Sequence, residues 1–295
     1  MSLIVFLLVV LPASLHVLWN VLVKQSSDKV AFAWLTNVVG LPILLPFFIL
    51  SRVMPADPNP LGWAVWKWAA VSGIFETCYI LLLYISYGKA DLSIVYPVSR
   101  GIAPVITAML GYWFIGDAIT LWSGAAVGLI LLGLVSLSRS MHKPSAQPYD
   151  RTGFLLAVAT GCAIASYHLV DRRAMCLVPP PSPLEYLFLM YIFLALFLTI
   201  GVGAIYPHWW DAIRTEWCAN WRGVLIVGAF IPLSYFLIIV AFKYGNVTYI
   251  TASRNLSIVI STIVGVYVLK EQSSWQRTLG SGLIMAGIIG LVVIG

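Results

Sequence analysis

Apolar runs of about 20 residues, the length a helix needs to cross a bilayer, follow one another along almost the whole chain. They predict helices over residues 3–23, 30–51, 62–86, 91–115, 119–138, 152–171, 184–206, 222–243, 247–269 and 274–294. The breaks carry turn or interfacial chemistry: Gln25-Ser26-Ser27-Asp28, Pro55 to Pro60, Gly88 to Asp91, Gly116-Asp117 and Pro179-Pro180-Pro181-Ser182-Pro183. Trp63, Trp66 and Trp68, then Trp209, Trp210, Trp217 and Trp221, cluster beside breaks, where indole rings favour the headgroup layer. Only 9% of the 295 residues are charged and 61% are hydrophobic, against roughly 25% charged in a soluble domain. Too little polar surface remains to face water on all sides, so lipid must cover much of the exterior. The longest polar stretches, Ser51–Pro60, Ser138–Thr152 and Pro207–Arg222, are loop-sized. The expected fold is an all-α membrane protein of ten transmembrane helices.

Several functional classes are disfavoured at once. The 17 basic residues behind the net charge of +6 are scattered singly, without the aromatic interleaving of a nucleic-acid groove. Cys78, Cys162, Cys176 and Cys218 are far apart and read as small buried apolar residues rather than a metal site or disulfide framework. The N-terminal run has neither a basic segment before it nor a small-residue cleavage site, and is expected to be the first span, not a cleaved signal. No nucleophile elbow, Walker loop, zinc-ligand pair or DxD-type cluster is present. Neither catalysis nor ATP-driven pumping is expected, and no cofactor.

The chain also repeats itself. Ser99-Arg100, then Gly111 and Asp117, return as Ser253-Arg254, Gly265 and Glu271, each at an offset of 154. Gly128 and Gly133 map onto Gly282 and Gly287 at the same offset. The expected units are residues 1–140 and 151–295, five spans each, within one bundle. An odd number of spans forces the halves to insert with opposite orientation, and inverted repeats are typical of secondary transporters, whose sites lie near the midplane where the repeats meet. Glycines at 124 and 128, and at 280, 282, 287 and 290, are expected to let helices approach within the bundle rather than form a dimer seam, so a monomer is expected. An even span count puts both termini on one side. With that side inside, the inner loops hold Arg52, Lys67, Arg172, Arg173 and Lys243, and the outer loops hold twice as many cations, against the positive-inside rule.

Ionisable side chains within spans are costly and therefore functional candidates. Arg100 shares a helical face with Ser93, Pro97 and Pro104, whose prolines free backbone carbonyls and predict a bend. Its repeat mate Arg254 has Thr251, Asn255, Ile258 and Ser261 or Thr262 nearby. Either arginine could bind substrate or be tied structurally to carbonyls. His16, Asn20 and Lys24 form a stripe on the first span; Tyr167, His168, Asp171 and Arg172 occupy the sixth. His168 is open between core histidine and proton relay, and Asp171 between function and simple ion pairing. Glu76, in the third span with Tyr79 and Leu83 on its side, is either a proton carrier or an arginine's partner. Asp117 and Glu271 are expected to cap the turns that follow them.

Specific motifs sharpen this reading. Asp91-Leu92-Ser93-x-x-Tyr96-Pro97-x-x-Arg100-Gly101-x-x-Pro104 resembles the fourth-span motif of EamA-type transporters of the drug/metabolite transporter superfamily. His16-x-x-Trp19-Asn20-x-x-x-Lys24 resembles their first span; Arg254-Asn255-Leu256-Ser257, Leu269-Lys270-Glu271 and Arg277-x-x-Gly280 resemble the ninth and tenth. The resemblance implies a ten-helix inverted-repeat fold, alternating access, a bacterial cytoplasmic membrane, cytosolic termini (against the charge count) and, in most members, export of amino acids, metabolites, metal-chelating compounds or drugs. The first half has three more residues than the second between its Tyr-Gly and its Ser-Arg, so the two halves of the site are not strictly symmetric. The expected pocket joins Arg100, Arg254, His16, Asn20, Lys24, His168 and Asn255 with walls from Tyr79, Tyr96 and Tyr167. Glu76 and Asp171 would balance charge or couple protons. Such a site suits a carboxylate-bearing solute, an amino acid or an opine-type metallophore, because arginine binds planar anions bidentately. A cationic drug or metabolite held by Glu76 and Asp171, an uptake carrier, and a receptor or subunit that uses the fold without transport, are the competing readings.

Overall fold

The structure, a computed structural model, describes residues 3–24, 26–53, 61–87, 92–141, 151–263 and 275–294. It is built from helices α1 (Leu3–Lys24), α2 (Lys29–Val53), α3 (Trp63–Tyr87), α4 (Leu92–Ile115), α5 (Leu121–Met141), α6 (Arg151–Met175), α7 (Pro183–Ile205), α8 (Trp209–Tyr244), α9 (Val247–Ser253), α10 (Leu256–Ile263) and α11 (Trp275–Ile294). No strand occurs among the described residues. Six of these helices, α2, α3, α4, α6, α7 and α8, contain segments long and apolar enough to cross a membrane, and Leu3–Leu15, Leu121–Leu137 and Thr278–Val293 are shorter apolar stretches. Trp113 and Leu121 are more than four-fifths exposed, as lipid-facing side chains must be.

The helices pack in a crosswise pattern. α6 lies against α3 and α4, α1 against α8, α2 against α8, and α7 against α3. α5 and α11 form the most extensive pair, and glycine is what brings them together. A Cβ on Gly133 would sit 2.6 Å from the Gly280 carbonyl oxygen, and one on Gly287 2.5 Å from that of Ala126. Position 133 meets 280 and 284 while 126 meets 287 and 290, so the two helices run antiparallel. Gly124, Gly128 and Gly282 meet nothing within 4 Å; these three, expected in helix contacts, lie outside the seam. Cys78 and Cys218 are exposed rather than buried. A lipid-facing surface is as apolar as the core, so a thiol there loses nothing.

Two expected spans differ. The polar stretch before the eighth is helical: α8 begins at Trp209 and kinks at Asn220 (φ −140°, ψ 31°). A straight helix of its 36 residues would be about 54 Å long at 1.5 Å per residue, well beyond a core of about 30 Å. Its first turns are held by Ile213, buried among Phe32, Leu35 and Val224, and by Trp209, whose ring lies 5.8 Å from that of Trp34. The buried Glu216 carboxylate accepts from the Ser27 and Asp28 backbone N–H groups (2.9 and 3.0 Å), and Asp28 in turn caps α2 through Val30 and Ala31 (both 2.9 Å).

The ninth span is interrupted between α9 and α10, at Arg254 and Asn255. The cause is local. The Arg254 carbonyl accepts from the Ser257 hydroxyl (3.0 Å) and the Ser257 N–H (3.3 Å), so the Ile258 N–H turns instead to Asn255 (2.9 Å). Serine hydroxyls compete with the backbone in this way, and the tightened i→i−3 bonds are those of a 3₁₀ turn. By contrast α4, where Pro97 and Pro104 predict a bend, is one uninterrupted helix over Leu92–Ile115.

Candidate functional site

The break in the ninth span brings Arg254 to a cavity between α1, α2, α3, α4, α6 and α8. Arg100 of α4 shares the lining, as do Glu76 and Tyr79 of α3, Tyr167 of α6 and Tyr235 of α8. A smaller recess beside α1 is bounded by the same two arginines, with Pro12, Ser234 and Ser257. The arginines therefore line both spaces. The tyrosine rings pack edge to face or tilted, Tyr167 lying 5.8 Å from Tyr79 and 6.0 Å from Tyr235. Such arrangements favour ring edges over ring faces and fix the walls.

Among the described residues, Arg254 is held without a carboxylate. Its Nη1 donates to His168 Nε2, and its guanidinium lies 5.6 Å from the centroid of the Tyr235 ring, within cation–π range. His168 Nδ1 bonds the Thr251 hydroxyl (2.9 Å). Glu76 is 8% exposed and its Oε2 makes no hydrogen bond. A buried polar atom left unpaired is costly, so this oxygen and the free donors of Arg254 are complementary gaps in one lining. Among the described residues the ion pairs are Arg52–Glu185 and Arg172–Asp117, each at 3.1 Å; neither touches the cavity.

Behind the cavity wall lies a second polar layer. Asp171 is fully buried and accepts from the Tyr186 hydroxyl (2.6 Å) and from the Tyr235 hydroxyl. Two hydroxyl donors supply what a buried carboxylate needs in place of water. Further along α6, Arg172 grips Asp117 through two bonds (3.1 and 3.3 Å) and donates to the Phe242 carbonyl. Asp117 sits after Gly116, whose φ of 84° and whose bond from its N–H to the Tyr112 carbonyl (3.0 Å) give α4 an αL end. Instead of capping the following turn as expected, Asp117 caps α9, accepting from the Val247 N–H at 2.9 Å. The reason is reach: Arg172 and the Val247 N–H offer this carboxylate stronger donors than the exposed turn does.

Of the residues expected from sequence, Arg100, Arg254, Glu76, Tyr79 and Tyr167 come together in the lining. His168 and Asp171 stand behind it, supporting Arg254 and Tyr235. Asn255 is 1% exposed next to Arg254 and lines neither space. The side chains of His16, Asn20, Lys24 and Tyr96, and the whole of Gly265, Lys270 and Glu271, lie outside the described residues. Tyr235, Ser234 and Asn37 were missed. The signal for them is slight, a polar residue or pair within an otherwise apolar run. No group of three or more His, Cys, Asp or Glu that could hold a metal occurs among the described residues.

Comparison with known proteins bears on what such a cavity serves. Residues 2–139 and, again, residues 151–293 match the EamA-like transporter family. The chain belongs to that family. This EamA-like chain is also 23% identical over 277 residues to the uncharacterized transporter YwfM of Bacillus subtilis strain 168, covering 91% of this chain and 86% of that protein. A solved crystal structure covers 99% of this chain and 96% of its own with a TM-score of 0.75 at 17% identity, a likeness of fold. It is thus a multi-pass membrane protein of an EamA-like transporter family, and transport across a membrane is its general activity.

Proposed function

We propose that this EamA-like protein is a secondary active transporter that exports a small, polar, carboxylate-bearing metabolite by alternating access, coupled to protons. The observation that carries the reading is Arg254: a guanidinium in a tyrosine-walled cavity, held by a histidine instead of a carboxylate. Arg254 lines the cavity without an ion pair among the described residues, and a planar anion is what its remaining donors fit. Amino acids and opine-type metallophores are the substrate classes that combine a carboxylate with a group for Glu76. Glu76, rather than Asp171, is the coupling carboxyl, because Asp171 has two tyrosine donors while Glu76 Oε2 has none. Ten spans in two inverted five-helix repeats, 1–140 and 151–295, supply the moving parts. The double family match and the antiparallel packing of α5 on α11, which are repeat mates by the 154-residue offset, support this arrangement. Away from the cavity, Asp117–Arg172 ties the end of α4 to α6, α8 and α9. The bacterial cytoplasmic membrane is the expected location, with both termini cytosolic.

Flux in proteoliposomes tests the proposal. Protein reconstituted with a pH gradient is expected to accumulate one or more labelled amino acids or amino-polycarboxylates, and to lose accumulation when the gradient is collapsed. Gradient-independent flux would remove the coupling. Preference for a cationic amine lacking a carboxylate would favour the second reading, for which the unpartnered Glu76 oxygen is the specific support. Binding without flux would mark a receptor.

A further inference from the structure

His168 is 1% exposed and touches no cavity space, yet every polar atom of its ring is committed. Guanidinium groups remain protonated in proteins and only donate, so the bond from Arg254 Nη1 makes Nε2 an acceptor. An acceptor Nε2 carries no proton, and the neutral ring's single N–H is then at Nδ1. That N–H faces the Thr251 hydroxyl at 2.9 Å, which must accept it. The ring plane is fixed as well, with Tyr167 at 4.5 Å and Phe242 at 5.4 Å, both edge-on. Thr251 and Arg254 lie on the same short helix end, so one imidazole pins α9 at two points a turn apart.

We propose that His168 is a positioning residue: as a neutral imidazole protonated at Nδ1, it aims the Arg254 guanidinium into the cavity without neutralising it. A carboxylate in its place would satisfy Arg254 internally and remove the need for an anionic ligand. An imidazolium could not accept the bond and would repel the arginine. The neutral ring with this tautomer is the arrangement that holds Arg254 while leaving it outside any ion pair among the described residues. The inference rests on the cavity being the substrate site and names what sets its preference for anions.

The chain has four histidines, so nitrogen-15 histidine labelling of the full-length protein in nanodiscs gives a tractable spectrum. The His168 signals are identified by their loss in His168→Gln. The expected result is an unprotonated Nε2 and a protonated Nδ1 at neutral pH, with that pattern lost in Arg254→Met. An imidazolium, or a ring protonated at Nε2, would overturn the proposal, as would a pattern indifferent to Arg254→Met. Sodium benzoate, a small planar carboxylate suited to tyrosine walls, is the binding probe. Glutamine keeps a neutral acceptor, so His168→Gln is expected to bind benzoate within about threefold of wild type. His168→Leu is expected to bind at least tenfold more weakly at similar thermal stability. Equal affinity in His168→Leu would also overturn it. If wild type binds no benzoate while the tautomer signature holds, the anion reading of the cavity fails and the positioning of Arg254 stands.

Discussion

The two buried carboxyls differ in what surrounds them, and that difference is testable one side chain at a time. Glu76→Gln leaves the cavity shape intact while removing the proton a carboxyl can carry, so it is expected to retain substrate binding and exchange but not gradient-driven accumulation. Asp171→Asn is expected to act on the fold instead, because Asp171 accepts from two buried tyrosine hydroxyls. Hydrogen bonds to a charged group are worth about 1.5–3 kcal/mol each, and a melt in detergent should show a loss of that order, smaller when Tyr235→Phe is already present. For Arg100, Gln is expected to leave the empty protein's melting temperature nearly unchanged and to abolish substrate-induced stabilisation, with Lys rescuing poorly because an ammonium lacks the planar fork. A fall in the empty protein's stability matching the fall in activity would show that Arg100 is structural. Arg100, Arg254, Glu76, Tyr79 and Tyr167 were legible as candidates because a charge or hydroxyl in an apolar run is conspicuous. What the run could not display is depth behind a wall: His168 and Tyr167 are neighbours in sequence, yet only Tyr167 lines the cavity.

Helices were legible as apolar runs, but their interruptions were not. Pro97 and Pro104 point to α4, whereas the break falls at Arg254 because a serine hydroxyl takes a backbone carbonyl. That competition depends on a rotamer, which composition does not encode. Likewise α8 extends to Trp209 because Ile213 and Glu216 find partners on α2 and the loop before it, long-range contacts with no local signature. The α5–α11 seam yields a sharp contrast between glycines that look alike in sequence. Gly133→Val would drive a side chain into the Gly280 backbone and is expected to abolish monodisperse expression. Gly128→Val meets open space and is expected to be tolerated, as read by size-exclusion chromatography. At the α4–α5 turn, reversing the ion pair with Asp117→Arg and Arg172→Asp restores opposite charges but neither the acceptor for Val247 nor the donor to the Phe242 carbonyl. The double variant is therefore expected to stay about 1 kcal/mol below wild type, the usual worth of a lost cap. Full recovery would show that the Asp117–Val247 bond contributes nothing.

Over the whole molecule, sidedness is the open competition between loop charge and family resemblance. Reporter fusions at Gly295 decide it: cytosolic fluorescence is expected, and phosphatase activity there would show that the charge bias sets the orientation. The same long-range bonds that join the halves also set a timetable for synthesis. Asp117 precedes Arg172 by 55 residues and Val247 by 130. At about 5–20 residues per second, its carboxylate waits roughly 3–11 seconds for the arginine and 7–26 seconds for the helix end. Through that interval the end of α4 has only water to answer its acid, and the tie between the halves forms last, when the start of α9 emerges.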